Sequence, residues 1–523
     1  MRLLTQFQAG CSLALSLAIC THGGADTLGY LVPRHSRDIA SSPWGIQTSD
    51  DERLDLLEKA GAIGVKWTRL LINWSHVETK AGQYDFKDTD AMIDAALQAG
   101  IQPFVCFTGG NRLYSETIPN PDPNWRLIYG VKPAPPILDA NATGAWLRFV
   151  DAVIQRYRTR VTHWEIWNEP NHYAYWGAPP NAADYGRLVR VTAEKIRALQ
   201  PGARIIAGAL AGLDPKYITR FLAEDTSLAV DIVSFHNYAN LPEARIYLAD
   251  DTWAALHAHN PKLKLWQGEC GYASASSTKD FRGTSPWGEM VQAKWLLRQA
   301  FVDTFFMRAE LSNYFKLFDA GDRSAKQARP QQTPVDDLLG FPAEATGRRV
   351  RGVGVNEKCL LANPGLAPKP GYFAYQNLCA LIPGDYAPAE LKRRPIVTVT
   401  AAGQFFGIGE NDDAYPSLPL VATYLNHQGA ARVAYWLPWQ PQEYTPKPAT
   451  ITLRLPGMEF KNPVLINLLD GSVHPLPTPQ QDGTAAVFAG LPLFDFPLVI
   501  AERSTVNLIT ERPRPAHEAI PQF

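Results

Sequence analysis

The chain is short of what several function classes require. A formal net charge of -1 over 523 residues removes the electrostatic basis for gripping nucleic acid or an anionic membrane surface. After the first 25 residues no apolar run reaches the roughly 20 residues needed to span a bilayer. Six cysteines and eleven histidines fall in no spacing that resembles a zinc site, and neither a metal nor an organic cofactor is expected. Cys11 and Cys20 lie in the leader, and Cys106 and Cys270 fall on or just after expected strands, where buried thiols are the natural reading. Cys359 and Cys379 leave two readings open, a disulfide around a last helix in an oxidising compartment or two separate thiols.

The first 25 residues read as a cleavable leader. Arg2 supplies the positive start, residues 13–19 form a short apolar core, and Gly23 and Ala25 place small residues before Asp26. A secreted or periplasmic location follows as an expectation. What the chain has in quantity is aromatic: 14 Trp and 20 Tyr, whose flat amphipathic rings suit sugar faces.

Short apolar stretches alternate eight times with amphipathic ones, which predicts a parallel α/β barrel. Strands are expected at 44–47, 65–71, 102–107, 161–167, 204–209, 231–236, 264–268 and 311–317. Helices are expected at 51–60, 89–99, 145–157, 182–199, 217–223, 243–259, 287–305 and 372–381. Met290, Ala293, Leu297 and Ala300 recur at helical spacing and mark one apolar stripe. Residues of about 319–370 are rich in Pro, Gly, Arg and Asp and read as a long insertion over the barrel mouth. After Ala387 the pattern turns to short alternating strands with a hairpin signal at Asp470-Gly471 and a turn at Gln481-Asp482-Gly483. The expected organisation is therefore a leader over 1–25, a (β/α)8 TIM barrel over 26–387, a C-terminal all-β sandwich over 388–505, and a tail over 506–523. No row of aromatics stands out in the sandwich, so it is read as a structural support.

In a parallel barrel the chemistry sits at the C-terminal strand ends. Residues 164–171 read Trp-Glu-Ile-Trp-Asn-Glu-Pro-Asn, which puts Asn168 and Glu169 at the fourth strand end, where Pro170 stops the strand. The second strand ends near Arg69 and Asn73, the sixth in His236-Asn237-Tyr238, and the seventh in Gly268-Glu269-Cys270. Strands three steps apart face each other across the mouth, so Glu169 and Glu269 can converge. Paired carboxylates across a cleft suit glycosidic cleavage, one donating a proton while the other supports an oxocarbenium-like centre. Glu169, poorly solvated at an inner strand end, suits the acid/base. Glu269, kept ionised by Arg69 and by a donor such as Tyr238, suits the nucleophile, and Asn168 the sugar 2-hydroxyl. Trp74, Trp176 and Trp287 follow strands and are candidates for stacking on sugars.

These motifs resemble retaining glycoside hydrolases of clan A, and the barrel followed by a sandwich is most similar to glycoside hydrolase family 39 and its neighbours. The resemblance rests on Asn168-Glu169-Pro170, His236-Asn237-Tyr238 and Gly268-Glu269, and covers roughly residues 40–320. It implies Glu169 as acid/base, Glu269 as nucleophile and Asn168 as the 2-hydroxyl contact. It also implies that Arg69, His236 and Tyr238 orient the nucleophile and the sugar. One departure is the eighth strand end, where clan members often carry Trp and this chain has Asn313-Tyr314-Phe315-Lys316-Leu317-Phe318. The expected partner is a carbohydrate substrate. The alternatives from the same residues are a carbohydrate-binding protein on an inactive barrel and a transglycosylase.

Overall fold

We describe a computed structural model of the chain over residues 27–48, 54–119, 132–274, 288–318, 358–362, 366–405 and 418–513. The leader, Trp287, most of the expected insertion (319–357 and 363–365) and residues 514–523 lie outside the described residues. After a three-residue strand β1 (Gly29–Leu31), eight parallel strands close into the expected barrel. They are β2 (Trp44–Gln47), β3 (Trp67–Asn73), β4 (Gln102–Thr108), β5 (His163–Ile166), β6 (Arg204–Ala211), β7 (Ile232–Asn237), β8 (Lys264–Cys270) and β9 (Leu311–Phe315), with β9 pairing back onto β2. The outer helices are α1 (Asp55–Ile63), α2 (Lys87–Gln98), α3 (Ala140–Tyr157), α4 (Ala182–Leu199), α5 (Pro215–Leu222), α6 (Ala249–His259), α7 (Glu289–Phe301) and α8 (Pro370–Leu381). Asp139, Asn181 and Asp214 start α3, α4 and α5 by accepting backbone N–H groups that have no partner within the helix.

The barrel interior changes character along its axis. Its floor is an apolar cluster of Phe104, Ile206, Ile232, Trp266 and Leu311, with Trp67 packed against it. Because alternate residues of a strand share a face, the layer two residues further on replaces Trp67 by Arg69, His163 by Glu165, Ile232 by Ser234 and Phe104 by Cys106. Apolar packing below thus gives way to a buried polar layer, and the strand ends above carry the candidate site. Gly45 allows the lower layer to close, since a Cβ there would stand 2.5 Å from the Asn313 amide oxygen and 3.1 Å from Trp67.

The C-terminal domain packs an eight-stranded antiparallel sheet and a four-stranded one. The larger contains β10 (Tyr386–Pro388), β12 (Leu420–Asn426), β13 (Ala431–Trp436), β15 (Pro463–Asn467), β16 (Ser472–Pro475), β19 (Leu498–Glu502) and β20 (Leu508–Ile509), together with β1. The smaller contains β11 (Ile396–Ala401), β14 (Ala449–Pro456), β17 (Gln480–Asp482) and β18 (Ala485–Leu493). Two boundaries differ from expectation. Residues 29–31, assigned to the barrel from the sequence, pair with β16, and Leu508–Ile509, assigned to the tail, pair with β1. Strands of two and three residues are too short for alternation to register, and only the unsatisfied sheet edge recruits them.

Helix α7 joins the two domains. Every residue from Met290 to Phe301 is buried, although the sequence shows one apolar stripe, because the second face carries Lys294 and Arg298, each paired with a buried carboxylate, Asp495 in the β domain and Glu243 in the barrel. Lys294 Nζ lies 2.9 Å from Asp495, and Arg298 meets Glu243 at 2.6 Å, all four side chains being buried. Trp436 Nε1 donates to Glu243 at 2.7 Å, and Glu443 accepts the Met290 and Val291 backbone N–H groups at the start of the helix. Cys359 and Cys379 are both buried and no disulfide links them. No described helix is long and apolar enough to cross a membrane.

Candidate active site

Arg69, on β3, organises the floor of the site. Its side chain is fully buried and each guanidinium nitrogen is used. Glu165 Oε2 lies 2.6 Å from Nε, Nη1 donates to Glu269 at 2.8 Å, and Nη2 donates to Asn168 Oδ1 at 2.8 Å and to Cys106 Sγ at 3.4 Å. One cation therefore binds strand ends on β5 and β8 through a planar fork whose geometry it cannot change. The same side chain thus pairs with two acids, Glu165 in the barrel interior and Glu269 at the strand end.

Glu269 receives Arg69 on one oxygen and the Tyr238 hydroxyl on the other. Burial alone would push its carboxyl up, but the charges of His236 and Arg69, the Tyr238 hydrogen bond and the charge of Lys358 outweigh it and hold the pKa below the usual value. Desolvation and the adjoining Glu269 charge raise the Tyr238 phenol well above its ordinary value. It therefore stays a donor. Tyr238 keeps 39% of its surface exposed, so it approaches the carboxylate from the open side of the cleft.

Glu169 sits in an unusual backbone. Trp167 and Glu169 both have positive φ, at 70° and 48°, on either side of Asn168, a conformation costing on the order of 1–3 kcal/mol for each such residue. The neighbouring strands hold it there. Trp167 N–H donates to Phe107 O at 2.8 Å and Glu169 N–H to Ala209 O at 2.9 Å. The turn aims the Glu169 carboxylate inward, where its Oε1 lies 2.8 Å from His236 Nδ1. His236, expected with Arg69 and Tyr238 to orient the nucleophile and the sugar, has its hydrogen bond to Glu169, while its charge also acts on Glu269. The register shifts between β6 and β7, between β7 and β8, next to His236, and between β8 and β9, next to Cys270.

One donor atom from each of Glu169, His236 and Glu269 lies within 4.8 Å of the other two. The two carboxylates thus converge from β5 and β8 as the strand count requires. The same trio has metal-ligand spacing, but a cation between these groups would meet the Arg69 guanidinium, and His236 Nδ1 already engages Glu169. The donor set fits proton transfer better.

The tryptophan candidates are corrected. Trp74 is fully buried between Tyr114 and Trp146, with Nε1 donating to Glu78 at 2.6 Å. Trp176 is fully buried against Trp167 and Tyr185. Both rings fill the layer under the loops and present no face to a sugar; Trp287 lies outside the described residues. At the eighth strand end Phe315 stands edge-on to Tyr238 at 6.3 Å, so an aromatic ring does flank the site there. Sequence reasoning missed Glu165, Ser234 and Lys358. Ser234 Oγ donates to Glu165 Oε1 at 2.6 Å, and Lys358 Nζ lies 4.6 Å from the Tyr238 ring centre. The available signal was an acid and a base, Glu165 and Arg69, each inside a run that otherwise reads as buried strand. A hollow of about 590 Å³ on the barrel flank, lined by residues including Tyr84, Phe86, Arg148 and Arg156, contains neither glutamate. Arg156 covers the Phe86 ring at 5.2 Å, which leaves no open aromatic platform there.

Residues 65–255 match the family model described as Glycosyl hydrolases family 39, which bears out the resemblance read from the sequence. The matched stretch holds Arg69, Asn168, Glu169, His236 and Tyr238, and ends before Glu269. A curated beta-xylosidase from Geobacillus stearothermophilus is 28% identical over 166 residues, which is 30% of this chain and 31% of that protein's own length. Among solved structures, a family 39 glycoside hydrolase from Bacteroides cellulosilyticus aligns over 90% of this chain and 83% of its own, at 17% identity and a TM-score of 0.58. A monomeric beta-xylosidase from Caulobacter crescentus aligns over 91% and 98%, at 17% identity and a TM-score of 0.52. At these identities the structural likeness speaks for the fold.

Proposed function

We propose that this chain, whose barrel carries the family 39 pattern over residues 65–255, is a retaining glycoside hydrolase acting on a β-linked glycoside. The observation that carries the reading is the convergence of the two side chains, one carboxylate oxygen of Glu169 lying within 4.8 Å of one of Glu269. Retention needs carboxyl groups about 5–5.5 Å apart, whereas inversion needs roughly 6.5–9.5 Å to admit a water between them. In the first step a Glu269 oxygen attacks the anomeric carbon while the bond to the leaving oxygen breaks and Glu169 protonates that oxygen. In the second, Glu169 takes a proton from water, the water oxygen attacks the same carbon, and Glu269 departs as carboxylate. The environments support this division of labour. Glu269 is surrounded by Arg69, Tyr238 and Lys358 and stays ionised, and Glu169 is paired with a single imidazole. Asn168, whose Oδ1 is held by Arg69, supplies the 2-hydroxyl contact in this reading. Export through the leader at 1–25 belongs to the same reading.

The named relatives include beta-xylosidases, so aryl β-xylosides head the substrate panel, followed by other aryl β-glycosides and polysaccharides. Glu169→Gln and Glu269→Gln are each expected to lower kcat by about 10²–10⁴-fold or more with unchanged circular dichroism. With an activated dinitrophenyl leaving group, which needs no proton, Glu169→Gln should keep its first step and regain turnover with azide. Near wild-type turnover in either variant would sink the assignment. Proton NMR of the first-formed anomer checks retention directly.

A further inference from the structure

Beneath the two proposed catalytic carboxylates lies a third, Glu165, which the reaction as written does not use. It is fully buried, and so is its partner Arg69. Such a pair is costly to desolvate and is a weak source of stability, and the barrel layer directly below shows that apolar side chains fill this interior. Its contacts are directional. Glu165 Oε2 takes Arg69 Nε at 2.6 Å, and Oε1 takes the Ser234 hydroxyl at 2.6 Å. Because the guanidinium is a rigid plane, holding Nε aims the two remaining nitrogens, and these hold Glu269 and Asn168.

We propose that Glu165 is a positioning residue for the glycosidic reaction, aiming Arg69 at Glu269 and Asn168 while sharing its positive charge. This rests on the proposed roles of Glu169 and Glu269. When the Glu269 oxygen bonds to the anomeric carbon, its negative charge is lost, so a cation devoted to it alone would stabilise the starting carboxylate and oppose attack. A second carboxylate on the same guanidinium reduces that opposition and leaves the aim intact.

The test uses the full chain and a nitrophenyl β-glycoside from the panel. Glu165→Gln preserves size; its amide oxygen can accept from Arg69, and the Ser234 hydroxyl can turn to accept from its NH2 group. It removes only the charge. The acid limb of kcat/KM is expected to move to lower pH by about one unit, with kcat reduced about ten- to a hundredfold and the first chemical step slowed. Glu165→Asp keeps the charge but withdraws it by one methylene, so it should lose rate and move the limb to lower pH by less than Glu165→Gln does. Ser234→Ala, which leaves Glu165 to bind Arg69 more strongly and also takes the acceptor from the Ala209 N–H, should move the limb to higher pH. That variant decides the matter if Glu165→Gln does not fold. An unchanged acid limb and kcat in folded Glu165→Gln, or a loss of Tm with neither changed, would overturn the proposal. Full activity in Glu169→Gln or Glu269→Gln would instead overturn the reading on which it stands.

Discussion

Tyr238 and Arg69 hold opposite oxygens of Glu269, and each lowers the cost of its charge. Removing the Tyr238 hydroxyl should let the carboxyl pKa rise. In Tyr238→Phe the acid limb of kcat/KM should therefore move to higher pH, opposite in sign to Glu165→Gln, and a pH–rate profile measures both. An unmoved limb in Tyr238→Phe would show that this hydrogen bond does not set the charge of Glu269. The legible residues were those whose chemistry is local to a strand end: Asn168 and Glu169 before Pro170, and Glu269 after Gly268. Glu165 and Ser234 were not legible as partners, because their meeting across β5 and β7 is a matter of which layer each strand contributes. Trp74 and Trp176 show the converse. Both follow strands, yet position along the chain does not say whether a ring turns toward the cleft or under the loop, and packing turned both under.

Helix α7 and the π-helical turn after it (Val302–Phe306) carry Asp303, which is fully buried between Gln299 and Ser312. Burial raises its pKa from 3.8 to about 8. The sign for stability follows directly. Between these two values the folded state holds a proton that the unfolded state has lost, so stability falls as pH rises through this interval. Asp303→Asn can keep both hydrogen bonds without the ionisation. Thermal denaturation from pH 5 to 8 should show a flatter decline in Tm for Asp303→Asn than for the wild type. Equal slopes would remove Asp303 as a source of that dependence. The eight strands and eight helices were readable as elements because β-strand runs and helical spacing alternate over a whole barrel. The full burial of α7 was not, because lysine and arginine on its second face look solvated until Asp495 and Glu243 are placed opposite them.

At the scale of the whole molecule the β domain is latched to the barrel by the buried Lys294–Asp495 pair and by Trp436, which donates to Glu243. Lys294→Met would leave Asp495 buried without its cation and should cost about 3–5 kcal/mol, whereas Lys294→Met with Asp495→Leu should recover most of it. Guanidinium denaturation of both variants, followed by tryptophan fluorescence, checks the difference; equal losses would mean that the latch is packing and not charge. By itself the sequence determined the barrel, the β-rich second half, and the two glutamates that face each other, because strand count and strand-end position are periodic properties of one chain. Only the tertiary structure decided that His236 serves Glu169, that Arg69 is shared between two acids, and that residues 29–31 and 508–509 complete a distant sheet. Those outcomes depend on which side chains from strands far apart in sequence reach the same buried space, and on which unpaired edge remains to be covered.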